Sequence, residues 1–210
     1  MIHVLIADDH AIVRKGLIQI LQDAPDGFEV DEASSGQEVL EKIEDKQYDV
    51  IVLDITMPGR SGLDVLAQVK LQYPELPVLI LSMHPEDQYA VRVLKAGASG
   101  YLIKDSAPSE LIQAVRKIAS GSKYITSTVA ERLVVNLEEG SDRSPHERLS
   151  DREFEVFLML AQGNSVKEIA TKLFISVKTV HTYRSRILDK MQMKGTAELI
   201  HYAVQNRLVE

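Results

Sequence analysis

The chain has 210 residues and no cysteine; 45% of it is hydrophobic, 26% is charged, and the formal net charge is −7. Composition this close to the globular norm excludes wholesale disorder, and the lack of thiols excludes disulfide frameworks, thiolate zinc sites and cysteine catalysis. No apolar run approaches the roughly 18–20 residues of a bilayer crossing. The start MIHVLIADDH lacks the anatomy of a signal peptide, so a soluble, cytoplasmic chain with no membrane partner is expected.

Charge divides the chain. Residues 1–145 carry 14 Lys and Arg against 23 Asp and Glu, whereas 146–210 carry 10 against 8. An acidic larger part joined to a locally basic smaller part implies two domains with different partners.

Apolar runs at 2–7, 49–53, 77–82 and 100–103, with a half-buried run at 28–33, read as strands. Helical stripes fall between them: Ile12, Val13, Gly16, Leu17, Ile20 and Leu21; Val39, Leu40 and Ile43; Leu63, Leu66, Val69 and Lys70; Val91, Leu94 and Lys95; Leu111, Ile112, Val115 and Ile118. Five βα units predict an α/β fold, a doubly wound five-stranded parallel sheet with helices on both faces. A helix is expected over 127–139, followed by the polar stretch SDRSPHER. Residues 1–122, 123–145 and 146–210 thus read as first domain, linker and second domain. In the last of these, helices capped by Ser150, Ser165 and Ser176 and a fourth from Thr196 through Asn206 predict a small all-α helix-turn-helix unit.

In doubly wound sheets, sites form at the carboxyl ends of the strands. Asp8 and Asp9 follow the first strand, Asp54 closes the third, Ser82 closes the fourth and Lys104 follows the fifth. Clustered carboxylates repel one another unless a cation compensates, and hard oxygen ligands suit Mg2+. The first turn carries acid where a nucleotide site wants glycine amides, which argues against flavin or dinucleotide binding.

Asp8-Asp9, DITMPGRSG around Asp54, Ser82 and Tyr101-Leu102-Ile103-Lys104 together resemble the receiver domain of bacterial response regulators, a flavodoxin-like fold. The resemblance implies that Asp54 is the phospho-acceptor. Asp9, Asp54 and the Thr56 carbonyl would bind Mg2+, with Asp8 assisting through water. Lys104 would pair with the phosphoryl group and Ser82 would hydrogen-bond it. Ser82 and Tyr101 would then carry a switch to the face around the fourth helix and fifth strand. Thr56 and His84 would line the approach of a hydrolytic water. The sequence departs from many receivers at Lys104-Asp105, where they have a proline joined by a cis bond; before a non-proline that geometry costs about 2.5–4 kcal/mol.

The run LSDREFEVFLMLAQGNSVKEIATKLFISVKTVHTYRSRILDKM resembles the LuxR-type helix-turn-helix of the NarL/FixJ response regulators. Stepping 100° per residue along its last helix places Val177, Val180, Ile187, Leu188 and Met191 on a buried stripe. Lys178, His181, Thr182, Ser185 and Asp189 fall on the opposite face. Family positions that read bases match His181, Thr182 and Ser185, and Lys178 shares their face. Arg186 and Lys190 at the edge are phosphate candidates, with Lys167 and Thr179 behind them. Arg184 lies on the core side, open to a phosphate contact or to an ion pair with Glu153 or Glu155. So few positive charges predict weak binding by a monomer. Leu199, Ile200, Ala203 and Val204 offer the apolar face that is the family's usual dimer contact.

The expected function is that of a phosphorylation-activated, DNA-binding response regulator controlling transcription. A sensor histidine kinase or a small phosphodonor would phosphorylate Asp54, and a homodimer would bind double-stranded DNA. The receiver would promote only its own phosphorylation and dephosphorylation, and would not be an enzyme in the turnover sense. A phosphorylation-independent DNA-binding regulator is the alternative; the complete set Asp8, Asp9, Asp54, Ser82 and Lys104 argues against it. A hydrolytic enzyme would need a nucleophile motif and a general base, and the first part offers only His3, His10 and His84.

Overall fold

A computed structural model describes residues 1–25, 27–83, 86–127, 129–131, 144–206 and 208–209, with 86–88 described by backbone alone. The chain divides into two units, Met1–Leu133 and Val134–Glu210. No helix among the described residues is long and apolar enough to cross a membrane.

The first unit alternates strands β1 (Ile2–Ala7), β2 (Phe28–Ala33), β3 (Val50–Asp54), β4 (Val78–Ser82) and β5 (Gly100–Ile103) with helices. These are α1 (Ala11–Gln22), α2 (Gly36–Asp45), α3 (Gly62–Gln72), α4 (Glu86–Lys95) and α5 (Ala107–Ala119). The strands pair in parallel in the order β2-β1-β3-β4-β5. Every residue of β3 and β4 is buried, as strands covered on both faces must be.

The α1 stripe holds at Val13, Leu17, Ile20 and Leu21, which lie in or against the core, and departs at two positions, whereas α4 turns differently from its stripe. In α1 the buried residues are Leu17 and Leu21, while Ile12 is 89% exposed and Gly16 faces solvent. In α4 the core is met by Tyr89, Ala90 and Val93, whereas Val91 and Leu94 are half-buried and Lys95 is exposed.

Serine caps fix the helix starts. The Ser35 hydroxyl accepts from the Glu38 amide, and Ser61 forms a reciprocal capping box with Asp64. Gly62, the first residue of α3, donates its amide to the Ile55 carbonyl at 2.8 Å. A Cβ there would stand 2.0 Å from the Asp54 carbonyl oxygen and 2.8 Å from the Ile55 Cα. Only glycine lets α3 start this close to the end of β3.

Beyond α5 the chain does not leave the sheet at once. Tyr124 forms a parallel bridge with Gly100, and its amide donates to the Ser99 carbonyl at 2.9 Å. The segment read as the start of a linker therefore lies along the outer edge of β5. Of the helix expected over 127–139, the Ala130 amide bonds the Thr126 carbonyl at 3.0 Å; the part over 132–139 lies outside the described residues.

The second unit is helical, with α6 (Asp151–Ala161), α7 (Val166–Lys172), α8 (Val177–Met191) and α9 (Thr196–Gln205). Ser150, Ser165 and Ser176 cap the first three as expected, the first two in capping boxes. A short turn of helix at Pro145–Arg148 precedes them, across the expected boundary between linker and second domain. His146 ties that turn into the unit, its Nδ1 lying 2.7 Å from the Tyr202 hydroxyl.

Two glycine substitutions test this packing in opposite directions. Gly62→Ala drives a methyl into backbone and is expected to destabilise the first unit by at least about 2 kcal/mol. Gly16→Ala, with nothing within 4 Å of its Cβ, is expected to stabilise it by about 1 kcal/mol through helix propensity. Urea unfolding of the two variants beside the wild type reads both signs.

Candidate functional site

Parallel order brings the carboxyl ends of β1, β3, β4 and β5 to one rim. Asp8 is fully buried just past β1, and Asp54 closes β3 at 2% exposure. Register pairs Asp54 with Leu81 and Ser82 with Ile103, so Ser82 and the start of the Lys104 turn stand at the strand ends on the same rim as Asp54. Lys104 reaches back over the rim: its ammonium lies 2.7 Å from Asp8 Oδ2 and 2.8 Å from Asp54 Oδ2. The Thr56 amide donates to Asp54 Oδ1 at 3.2 Å, and the His10 amide donates to Asp8 Oδ1 at 2.8 Å. Ser82 and Tyr101 are both buried, at 1% and 2% exposure, so the tyrosine is packed inward rather than half-buried at the strand edge. No peptide bond among the described residues is cis, Lys104-Asp105 included. His84 lies outside the described residues.

Burial pushes the Asp54 carboxyl up to about 6; the Lys104 charge opposes this and the Asp8 charge adds to it. Burial works against the Lys104 ammonium, but Asp54 and Asp8 outweigh it and hold its pKa above the usual lysine value. Three carboxylates against one ammonium leave the rim negative, and the ligand atoms of Asp8, Asp9, His10 and Asp54 all lie within 4.8 Å of one another. Asp9 Oδ1 is buried, with the His10 ring nitrogen 2.8 Å away. Clustered hard oxygens of net negative charge fit a small divalent cation. The spacing of ADDH gave no sign that the His10 ring would stand beside Asp9, because the direction of the β1–α1 turn decides it.

In the second unit the recognition-helix candidate α8 exposes Lys178, His181, Thr182, Ser185, Arg186 and Lys190, with Thr179 half-buried. Thr182 turns its hydroxyl back to the Lys178 carbonyl at 3.1 Å, and the Thr179 hydroxyl meets Ser176 Oγ at 2.8 Å. The opposite face buries Val180, Ile187 and Met191. Val177 departs from that stripe at 41% exposure.

The basic side chains divide by partner. Lys190 bonds Glu153 Oε2 at 2.6 Å, so its charge is directed inward as well as towards solvent. Burial opposes the charge of Glu153, but Lys190 and the Ser150 amide outweigh it and lower the carboxyl. Arg184 pairs with neither glutamate; its Nε donates to the Thr196 hydroxyl at 2.9 Å. Glu155 takes Arg152 instead, at 2.6 Å, and the same guanidinium donates to the Leu173 carbonyl at 2.8 Å. This clamp fixes the turn that aims α8. On α9, Leu199 and Ala203 are buried in the unit, whereas Ile200 and Val204 are 37% and 50% exposed.

Comparison with known proteins agrees on both units. The response regulator receiver domain family matches residues 4–116, and the family of bacterial regulatory proteins of the luxR type matches 147–203. Response regulator UvrY of Escherichia coli strain K12 is 36% identical over 99% of this chain and 96% of its own. Oxygen regulatory protein NreC of Staphylococcus carnosus strain TM300 is 38% identical over 99% of each chain. Among solved structures, RcsB from Salmonella enterica serovar Typhimurium, bound to promoter rprA in the presence of phosphomimetic BeF3−, is similar. It shares 27% identity over 97% of this chain and 99% of its own, with a TM-score of 0.62. A receiver of this geometry followed by a luxR-type unit is a regulator rather than a turnover enzyme, and the chain belongs to the two-component response regulators that control transcription through a LuxR-type DNA-binding domain.

Proposed function

We propose that Asp54 accepts a phosphoryl group from a sensor histidine kinase or a small phosphodonor in the cytoplasm, and that the modified chain binds DNA as a homodimer. One observation carries the assignment: Asp54 is the buried strand-end carboxylate that shares the Lys104 ammonium with Asp8, beside Asp9. Asp54 attacks phosphorus through a carboxylate oxygen, the bond to the leaving group breaks, and an acyl phosphate results. Mg2+, when bound by Asp9, Asp54 and the Thr56 carbonyl with Asp8 assisting through water, offsets the charge that keeps two anions apart.

Lys104 is free to exchange its carboxylate partner for a phosphoryl oxygen without leaving the rim. Ser82 supplies a hydroxyl at the adjacent strand end. The new group brings roughly −1.5 to −2 charge, which draws Ser82 and Lys104 towards it and, through β5, repositions Tyr101. In the second unit, Lys178, His181, Thr182 and Ser185 enter the major groove, while Thr179, Arg186 and the exposed flank of Lys190 meet phosphates. Exposed Ile200 and Val204 form the apolar patch at which two copies meet.

Incubation with Mg2+ and acetyl phosphate followed by intact-mass measurement is expected to show one phosphoryl group on the wild type and none on Asp54→Asn. Stoichiometric uptake by the variant would place the acceptor elsewhere. Uptake by neither, with a kinase also failing, would leave a DNA-binding regulator that works without phosphorylation.

The raised Asp54 pKa also has a signature in stability. A carboxyl that titrates near 6 when folded and near 3.9 when unfolded makes the folded state lose stability as pH rises through 6. In chelator, Asp54→Asn is expected to be more stable than wild type by about 2 kcal/mol at pH 7.5, and the gap is expected to narrow towards pH 5. Urea titrations at the two pH values measure it; a gap that widens at pH 5 contradicts the cause assigned here.

For the DNA face, Arg186→Ala is expected to weaken binding across sequences and to lower the salt slope by about 1. His181→Ala is expected to change the bases selected from a randomised duplex library.

A further inference from the structure

Arg14 is part of none of the motifs above, yet it is built into the acidic rim. It lies in the first turn of α1 with its side chain only 13% exposed. Its Nη1 donates to the backbone carbonyl of Asp8 at 2.7 Å, and its Nε donates to Glu32 Oε2 at 2.8 Å. Its own amide donates to the His10 carbonyl at 3.0 Å. Glu32 stands near the end of β2, the strand that pairs with β1 and whose last carbonyl, Ala33, accepts from the Asp8 amide at 3.2 Å.

The register of β1 with β2 and β3 ends at Ala7, so the Asp8 carbonyl lies past the ladder and Arg14 satisfies it. That carbonyl belongs to the same planar peptide as the Asp9 amide. The direction in which the peptide plane faces therefore decides where the Asp9 carboxylate projects. Among the described residues the Asp9 carboxylate meets the His10 ring nitrogen, 2.8 Å from Oδ1, on an imidazole that is 67% exposed, so the buried peptide is the firmer anchor of the carboxylate. Glu32 in turn holds the guanidinium, which leaves Arg14 little freedom to release the carbonyl.

We infer that Arg14 is a positioning residue for divalent-cation binding: by clamping the Asp8–Asp9 peptide, it preorganises the Asp9 carboxylate for the cation. The inference rests on the proposed Mg2+ site. It differs from a merely structural role in what it sets. A residue that only ties α1 to the sheet affects the unfolding midpoint, whereas one that orients a ligand affects cation affinity in the folded protein. Removing groups that orient metal ligands from behind typically costs 10–100-fold in affinity.

The test uses the full chain and Mn2+ as a spin probe, with free Mn2+ read by EPR and Mg2+ as competitor. Phosphorylation by acetyl phosphate is followed in parallel as a function of Mg2+. Arg14→Ala is expected to raise the Mn2+ Kd and the Mg2+ half-saturation about tenfold or more, while the rate at saturating Mg2+ stays near that of the wild type. Arg14→Lys, with one ammonium that reaches the carbonyl or Glu32 but not both, is expected to fall between them. Should the alanine variant fail to fold, the lysine variant decides. A folded variant with the wild-type Mn2+ Kd overturns the inference and leaves the metal site standing. A wild type that binds neither ion overturns the metal site itself, and the inference with it.

Discussion

The Lys104 ammonium, set between Asp8 and Asp54, is the contact on which the receiver's architecture turns. Burying like charges together is costly unless a counter-charge enters with them, and a lysine at the end of β5 can enter only if β5 lies within reach of β1 and β3. The order β2-β1-β3-β4-β5 satisfies this, with Ser82 of β4 in the intervening place. Gly62 then matters because α3 must start against the backbone of Asp54 for that acid to end its strand in the rim. Sheet order, a glycine and a lysine thus serve one electrostatic requirement.

The second unit treats charge in another way. Its buried acids, Glu153 and Glu155, each take a basic partner from a different place, Lys190 on α8 and Arg152 within α6. These pairs add orientation rather than raw stability, since a buried pair roughly offsets its own desolvation. They leave α8 with a solvent face of short polar groups and few cations. On the proposed reading, sequence preference then falls to His181, Thr182 and Ser185, and affinity to the doubling of sites that a dimer would provide.

Much of this was legible in the chain. The five strands stand within a residue of their apolar runs, and three serine caps start the helices they were expected to start. Both signals are local, so they survive folding unchanged. The acids of the rim were legible because each sits at a strand end, where the fold dictates convergence. What escaped were contacts made across elements. Lys190 finding Glu153, Arg184 finding Thr196 and Arg14 finding the Asp8 carbonyl depend on rotamers and helix rotation that spacing does not encode. The face that α4 buries escaped for a related reason. In a helix with more apolar residues than its buried face can hold, tertiary packing chooses among them.

The docking of Tyr124 on β5 decides where the receiver can be cut. β5 is the last strand of the sheet, and the start of its outer edge is met by the bridge from Tyr124 to Gly100. Exposed edges of this kind are templates for association between molecules. Glycine at 100 is what admits the cover, since a Cβ there would lie 2.8 Å from the Tyr124 carbonyl oxygen. A receiver fragment ending with α5 would thus leave the start of β5 open and take Tyr124 out of the core, whereas one extended through Glu131 keeps both.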